Sequence, residues 1–204
     1  MKTQRLDRPR YRSTITSASL RVTDSRIIAG LLLKDGRSQI WHKNIVEYNL
    51  LQMRSNRAAL SVAQVLRARL RLLKPDLLEM VVTGTRELAT HACFAAAIKH
   101  SLLLGDYLDL VLRDKYRLFI PALALSDWNH YIEDCRGRDP EMKIWTEKTV
   151  KRLRGIVHGM LAEMGYVDGA RTLRLQSVHV VPEVLEYLEK EQEHYVLRCI
   201  TVHP

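Results

Sequence analysis

Cysteine is scarce in this chain of 204 residues: Cys93, Cys135 and Cys199 are far apart, odd in number, and form no Cys-x-x-Cys pair. That excludes a disulfide framework and a zinc ribbon, and it predicts a reducing compartment. The start MKTQRLDRPRYRST has no apolar segment, so the pattern of a secretory signal is missing. Long hydrophobic runs are missing too. The most apolar stretch, residues 88–112, is broken by Lys99, His100, Asp106 and Asp109, short of the roughly 20 uninterrupted residues of a spanning helix. The expectation is a cytoplasmic protein with no membrane partner.

Catalytic signatures are equally scarce. The chain has no glycine-rich phosphate loop, no GxSxG elbow, no HExxH and no deaminase-type Cys/His pattern. Its eight histidines are scattered. His91 and Cys93, two apart on a helix, point to different faces and make a poor metal pair. Asp106 and Asp109 share a face without a His or Glu at ligand spacing, and read as solvated. Asp127 and His130 sit about one turn apart with no nucleophile beside them. The expectation is a protein that is not an enzyme, with no cofactor and no metal.

Positive charge, by contrast, is abundant. The formal net charge is +9 and the sequence pI about 9.6, which favours polyanionic partners. Its placement says more than its sum. Residues 1–75 hold 16 Lys and Arg against 4 Asp and Glu, and residues 76–142 hold 7 against 11. The balance turns positive again over 143–181, at 7 against 3, and negative over 182–204, at 2 against 5. Between Tyr48 and Pro75 there is no carboxylate at all.

That acid-free stretch, Arg54–Lys74, predicts a helix whose buried stripe is Ala59, Val62, Ala63, Leu66, Leu70 and Leu73. Arg67, Arg71 and Lys74 fall on one flank, Arg69 on the stripe's other border, and Arg54 and Arg57 precede them. Like charges four apart repel, so an anionic partner would relieve this helix. A solvated helix whose arginine stems cover the core edge explains the pattern as well. Upstream, Arg5, Arg8, Arg10 and Arg12 around Pro9 form a basic arm suited to phosphates or a minor groove, or a frayed terminus.

Helix signals run through most of the chain. Asp24 or Ser25 starts one ending near Asp35-Gly36, Ser38 caps a second to about Tyr48, and Pro75 stops the third. Asp76 begins a short helix. Thr85 begins an alanine-rich one to His100, expected at the centre of a bundle, and Gly105 separates it from the next, through Tyr116. Ser126-Asp127 opens another, and Thr146 caps a long helix that Gly165 ends. On this long helix Lys148, Lys151 and Arg152 lie opposite the core face, together with Gly155, Gly159 and nearby His158. Glycine inside a helix costs roughly 1 kcal/mol relative to alanine. Either a phosphate backbone or a neighbouring helix approaching closely would account for the pair. Val167, Leu173, Leu175, Val178 and Val180 suggest a β-hairpin carrying Arg171 and Arg174, Pro182 opens a helix, and residues 195–202 suggest a last strand.

The expected fold is therefore mainly all-α: a helical bundle with a helix-turn-helix-like N-terminal part and a winged-helix-like C-terminal part carrying a small hairpin. Its expected divisions are residues 1–75, 76–125 and 126–204.

The order YRSTITSASL, GLLLKDGRSQIWHKNIVEYNLLQMRS, RARLRLL and HGMLAEMGYVDG resembles the BrxA family of BREX (bacteriophage exclusion) phage-defence systems over nearly the whole chain. The resemblance implies a small helical accessory protein without catalytic residues, akin to the RNA-binding NusB protein. It would act beside other BREX proteins, among them a methyltransferase, an ATPase and a phosphatase-like protein.

Charge and resemblance together lead to double-stranded DNA bound mainly through phosphates, by Arg5, Arg8, Arg10, Arg12, Arg54, Arg57, Arg67, Arg71 and Lys74 on one surface and Lys148, Lys151, Arg152, Arg171 and Arg174 on a second. RNA binding of the NusB type, or a basic scaffold docking acidic partner proteins, are the alternatives. On this reading Arg67→Glu with Arg71→Glu weakens binding in a gel shift while leaving the thermal melt nearly unchanged; a large loss of stability means that these arginines serve packing.

Overall fold

The computed structural model describes residues 10–15, 18–35 and 41–202. Arg5, Arg8 and Ser38 lie outside them. Helices follow in the order α1 (Val22–Asp35), a π-helical turn (Lys43–Glu47), α2 (Asn56–Leu70), α3 (Pro75–Thr83) and α4 (Arg86–His100). Next comes α5 (Leu102–Tyr107), which runs through a second π-turn (Leu108–Leu112) into α6 (Arg113–Arg117). The chain ends with α7 (Leu125–Arg138), α8 (Glu147–Met164), α9 (Pro182–Lys190) and α10 (His194–Ile200).

The central member is α4. Thr85 caps it by accepting from the Leu88 amide at 3.1 Å, and every residue from Ala89 to Ile98 is buried. Five alanines make this possible, because a thin helix lets neighbours approach from all sides. Helices α1, α2, α3, α5, α8, α9 and α10 all pack against it. A single hydrophobic cluster accordingly runs from Tyr11 and Ile28 through Phe94 and Trp128 to Ile200 and Val202. No single helix among the described residues is long and apolar enough to cross a membrane.

Several boundaries fall where local chemistry puts them. Ser55 caps α2 through the Ala58 amide, Thr146 caps α8 through the Thr149 amide, and Gly165 ends α8 at φ 85°. Pro75 and Pro182 sit in the first turns of α3 and α9, where a missing amide hydrogen costs nothing. Gly105 departs from expectation. It lies inside α5, and the break falls at Ser101 instead. A Cβ at Gly105 would collide with the Tyr195 hydroxyl, so this glycine gives α10 room to touch α5.

The winged half is corrected. Among the described residues no β-strand forms; the expected hairpin is reduced to two isolated bridges, Val167 with Leu175 and Ala122 with Arg174. Val178 and Val180 are buried with His179 exposed between them, as in a strand, yet the neighbouring backbone is held by a side chain: the Val181 amide donates to His91 Nδ1 at 3.1 Å. The expected last strand is helix α10, which buries Val196, Cys199 and Ile200 at helical spacing.

Reading Asp106 as solvated is also corrected. Its side chain is 5% exposed. One oxygen accepts from the Tyr11 hydroxyl at 2.6 Å and from Arg10 at 2.8 Å, and the other from the Tyr195 hydroxyl at 2.6 Å. Burial and these bonds push both tyrosine hydroxyls far above their usual range. Asp139 secures the same N-terminal segment by accepting from the Tyr11 amide at 3.0 Å. The carboxylate thus ties three distant pieces of chain together. Asp106→Ala strands two buried hydroxyls and is expected to lower unfolding free energy by roughly 3 kcal/mol or more in urea titration, with Asp106→Asn losing less; a loss within experimental error for both variants removes this role.

Candidate nucleic-acid interface

The described basic residues divide by what the fold asks of them. Arg69 is fully committed: it is 2% exposed, and its guanidinium donates to the carbonyls of Ala18 at 2.8 Å and Ser19 at 2.7 Å. Burial lowers its pKa to about 10, leaving it charged at neutral pH. Arg67 is half-committed, stacked over the buried Trp41 ring at 4.3 Å, with its pKa lowered by burial and by Arg71. Arg10 is held by Asp106 while staying half-exposed. Lys74 pairs with Glu191 across α3 and α9 but keeps most of its surface in solvent.

The remaining described cations of the predicted set have no such internal partner among the described residues. Arg54, Arg57 and Arg71 are exposed on and around α2, and Lys148, Lys151 and Arg152 are exposed on the first two turns of α8. Arg171 and Arg174 are exposed on the tight loop between α8 and α9, which Asp168 holds by accepting from the Thr172 hydroxyl and the Arg174 amide. Arg12 is exposed and lines a recess with Arg10, Lys99 and His100 at the C-terminal end of α4. Two basic helix faces result, both on helices packed against α4.

The two glycines of α8 face away from the core. A Cβ built on Gly155 or Gly159 meets nothing within 4 Å. Close helix packing, one of the two explanations open at the sequence level, is therefore overturned, and the bare backbone lies open beside Lys151 and Arg152. His158 behaves differently from its expected neighbours. It is 2% exposed and sits within an aromatic group of Tyr107, Trp128 and Tyr131. Burial, with help from Arg154, lowers its pKa to about 4.

Other chemistry is sparse. Among the described residues no group of three or more His, Cys, Asp or Glu is placed to hold a metal. All three cysteines are buried, and burial pushes the thiols of Cys93 and Cys199 up to about 12, far from a reactive thiolate. Asp127, one turn from His130 in the sequence, binds Lys115 at 2.8 Å.

A family model described as BrxA matches residues 9–192. The chain belongs to the BrxA family. A protein named BREX protein BrxA from Paramagnetospirillum magneticum is 45% identical over 95% of this chain and 98% of its own length. A second with that name, from Escherichia coli, is 30% identical over 82% of this chain and 78% of its own. The chain is also similar to a crystal structure titled as an uncharacterized protein from Magnetospirillum magneticum, at 44% identity and TM-score 0.89, covering 95% of this chain and 100% of that one. BrxA membership supports a role in the BREX phage-defence system.

Two outcomes follow from the geometry. The expectation that Arg67→Glu with Arg71→Glu spares the melt is corrected: Arg71→Glu alone leaves it nearly unchanged, whereas Arg67→Glu lowers it, because the stacking on Trp41 is worth on the order of 1 kcal/mol; equal melts contradict the division of labour. His158 has a folded pKa below its ordinary 6.5, so the unfolded chain takes up the proton first as pH falls. Stability is full above about pH 7 and drops by roughly 3 kcal/mol on the way to pH 4. In urea melts across that range His158→Phe flattens the dependence, and an unchanged slope argues against it.

Proposed function

We propose that this BrxA-family chain is a non-enzymatic accessory of the BREX phage-defence system that binds double-stranded DNA through its phosphates, alongside other BREX proteins. The observation that carries the reading is the open face of α8: Lys148, Lys151 and Arg152 are exposed beside two glycines that pack against nothing. A helix tolerates two such glycines, at roughly 1 kcal/mol each, where something must reach its backbone, and cations on the same face make an anionic backbone the fitting visitor. The exposed Arg54, Arg57 and Arg71 of the α2 region form a second clamp, and Arg171 and Arg174 add further exposed cations.

Contacts made to phosphates position the protein and discriminate weakly between sequences. Engaging about six to ten phosphates makes affinity fall by roughly 10³–10⁵ between 50 and 200 mM salt.

Fluorescence anisotropy with duplex DNA, and with structured RNA as competitor, tests the reading. Saturable duplex binding with that salt dependence is expected, and absence of binding at low salt, salt-indifferent binding or a preference for RNA contradicts it. Gly155→Ala with Gly159→Ala gives a separate check. The pair is expected to raise stability by about 1–2 kcal/mol while weakening duplex binding; a gain in stability at unchanged affinity removes α8 from the interface.

A further inference from the structure

Phe119 combines high exposure with a left-handed backbone. It follows α6, which ends in a tight left-handed stop: the Leu118, Phe119 and Ile120 amides donate to the carbonyls of Asp114, Tyr116 and Lys115 at 2.9, 3.1 and 2.9 Å. This is the arrangement in which glycine ordinarily takes the left-handed position, yet that position is Phe119, at φ 53°. A phenylalanine there is strained, and no packing compensates, since its side chain is 88% exposed.

The turn beneath it is rigid. On one side the buried Tyr116 donates its hydroxyl to the Gln176 carbonyl at 2.6 Å. On the other, Pro121 accepts from the Leu175 amide at 2.9 Å and the Leu123 amide donates to Leu173 at 3.0 Å. That pairing sets the turn beside the Arg171–Arg174 loop, with Arg174 opposite Ala122. No carboxylate occurs from Lys115 to Ser126, and the exposed Arg117 and Arg171 have no ion-pair partner among the described residues.

We propose that Phe119 is a wedge that inserts between stacked base pairs of a bound duplex while Arg117, Arg171 and Arg174 hold the flanking phosphates. This deepens the duplex-binding reading and rests on it. An apolar side chain presented rigidly on a basic edge is the device by which proteins unstack a base step. The flat ring also stacks on any base, so the wedge adds affinity without demanding a sequence.

The full chain is titrated onto duplexes carrying one 2-aminopurine at successive steps, with anisotropy followed in parallel and a single-stranded arm alongside. Saturation by the wild type is expected to raise 2-aminopurine fluorescence severalfold at one or two steps. Phe119→Ala abolishes that rise and weakens binding roughly five- to hundredfold as stacking on the ring is lost, with the salt slope unchanged because no phosphate contact is removed. Phe119→Trp retains the rise. Phe119→Gly melts about 2–4 °C higher than wild type, since glycine relieves the left-handed strain. Saturable duplex binding with no rise at any step, a rise that survives Phe119→Ala, a lowered melt for Phe119→Gly, or an effect of Phe119→Ala confined to the single strand each overturns the wedge while leaving phosphate binding standing. Absence of duplex binding overturns both.

Discussion

Asp106 is the constraint on which the described structure turns. A carboxylate this deeply placed is tolerated only where donors replace its water, and here the donors come from residues 10 and 11 at one end of the chain and residue 195 at the other. The bond to Tyr195 in turn requires Gly105, which leaves room for α10 against α5. The N-terminal segment, the central helices and the C-terminal helix are thereby fixed relative to one another by a single charged group on α5. Apolar burial supplies most of the stabilisation, but it is non-directional; the carboxylate is what makes this arrangement of segments specific.

The same economy sorts the positive charge. Arg69 closes two backbone carbonyls that the α1 entry leaves open, Arg67 covers Trp41, Arg10 serves Asp106, and Lys74 meets Glu191. These residues belong to the fold as much as to any interface. Arg54, Arg57, Arg71, Lys148, Lys151 and Arg152 are exposed without such internal duties among the described residues, and they sit on and around two helices that share α4 as their support. A protein of this kind presents charge from a rigid scaffold, which suits positioning on a regular polyanion better than wrapping around an irregular one.

Much of this was legible in the sequence where the signal was local. The stripe of α2, the Thr85 and Thr146 caps, the Gly165 stop, Pro182 at a first turn and the alanine-rich central helix all depend on residues within a turn or two of each other. What escaped depends on distance. Asp106 reads as a solvated acid unless Tyr11 and Tyr195, some 90 residues away on either side, are known to converge on it. Arg69 looks like its neighbours until the carbonyls of Ala18 and Ser19 are in place. Alternating Val178 and Val180 read the same whether the backbone pairs with a strand or with His91, and the short apolar run in α10 carries no length by which to separate helix from strand. The family resemblance was legible over nearly the whole chain because it draws on many positions at once. Phe119 carries no local sequence signal, since only the backbone angle and the exposure mark it.

On the proposed duplex binding, the cations left without internal partners among the described residues are the ones that meet phosphate. The most direct measurement is the slope of log K against log salt for duplex DNA, taken for the wild type, for Arg71→Gln with Lys151→Gln, and for the internally committed Arg67→Gln. Each lost phosphate contact reduces the slope by about 0.9, so the first variant is expected to lose roughly two units with little change in its melt, and the second to lose stability with little change in slope. A slope indifferent to Arg71 and Lys151, or one that responds to Arg67 instead, contradicts the account.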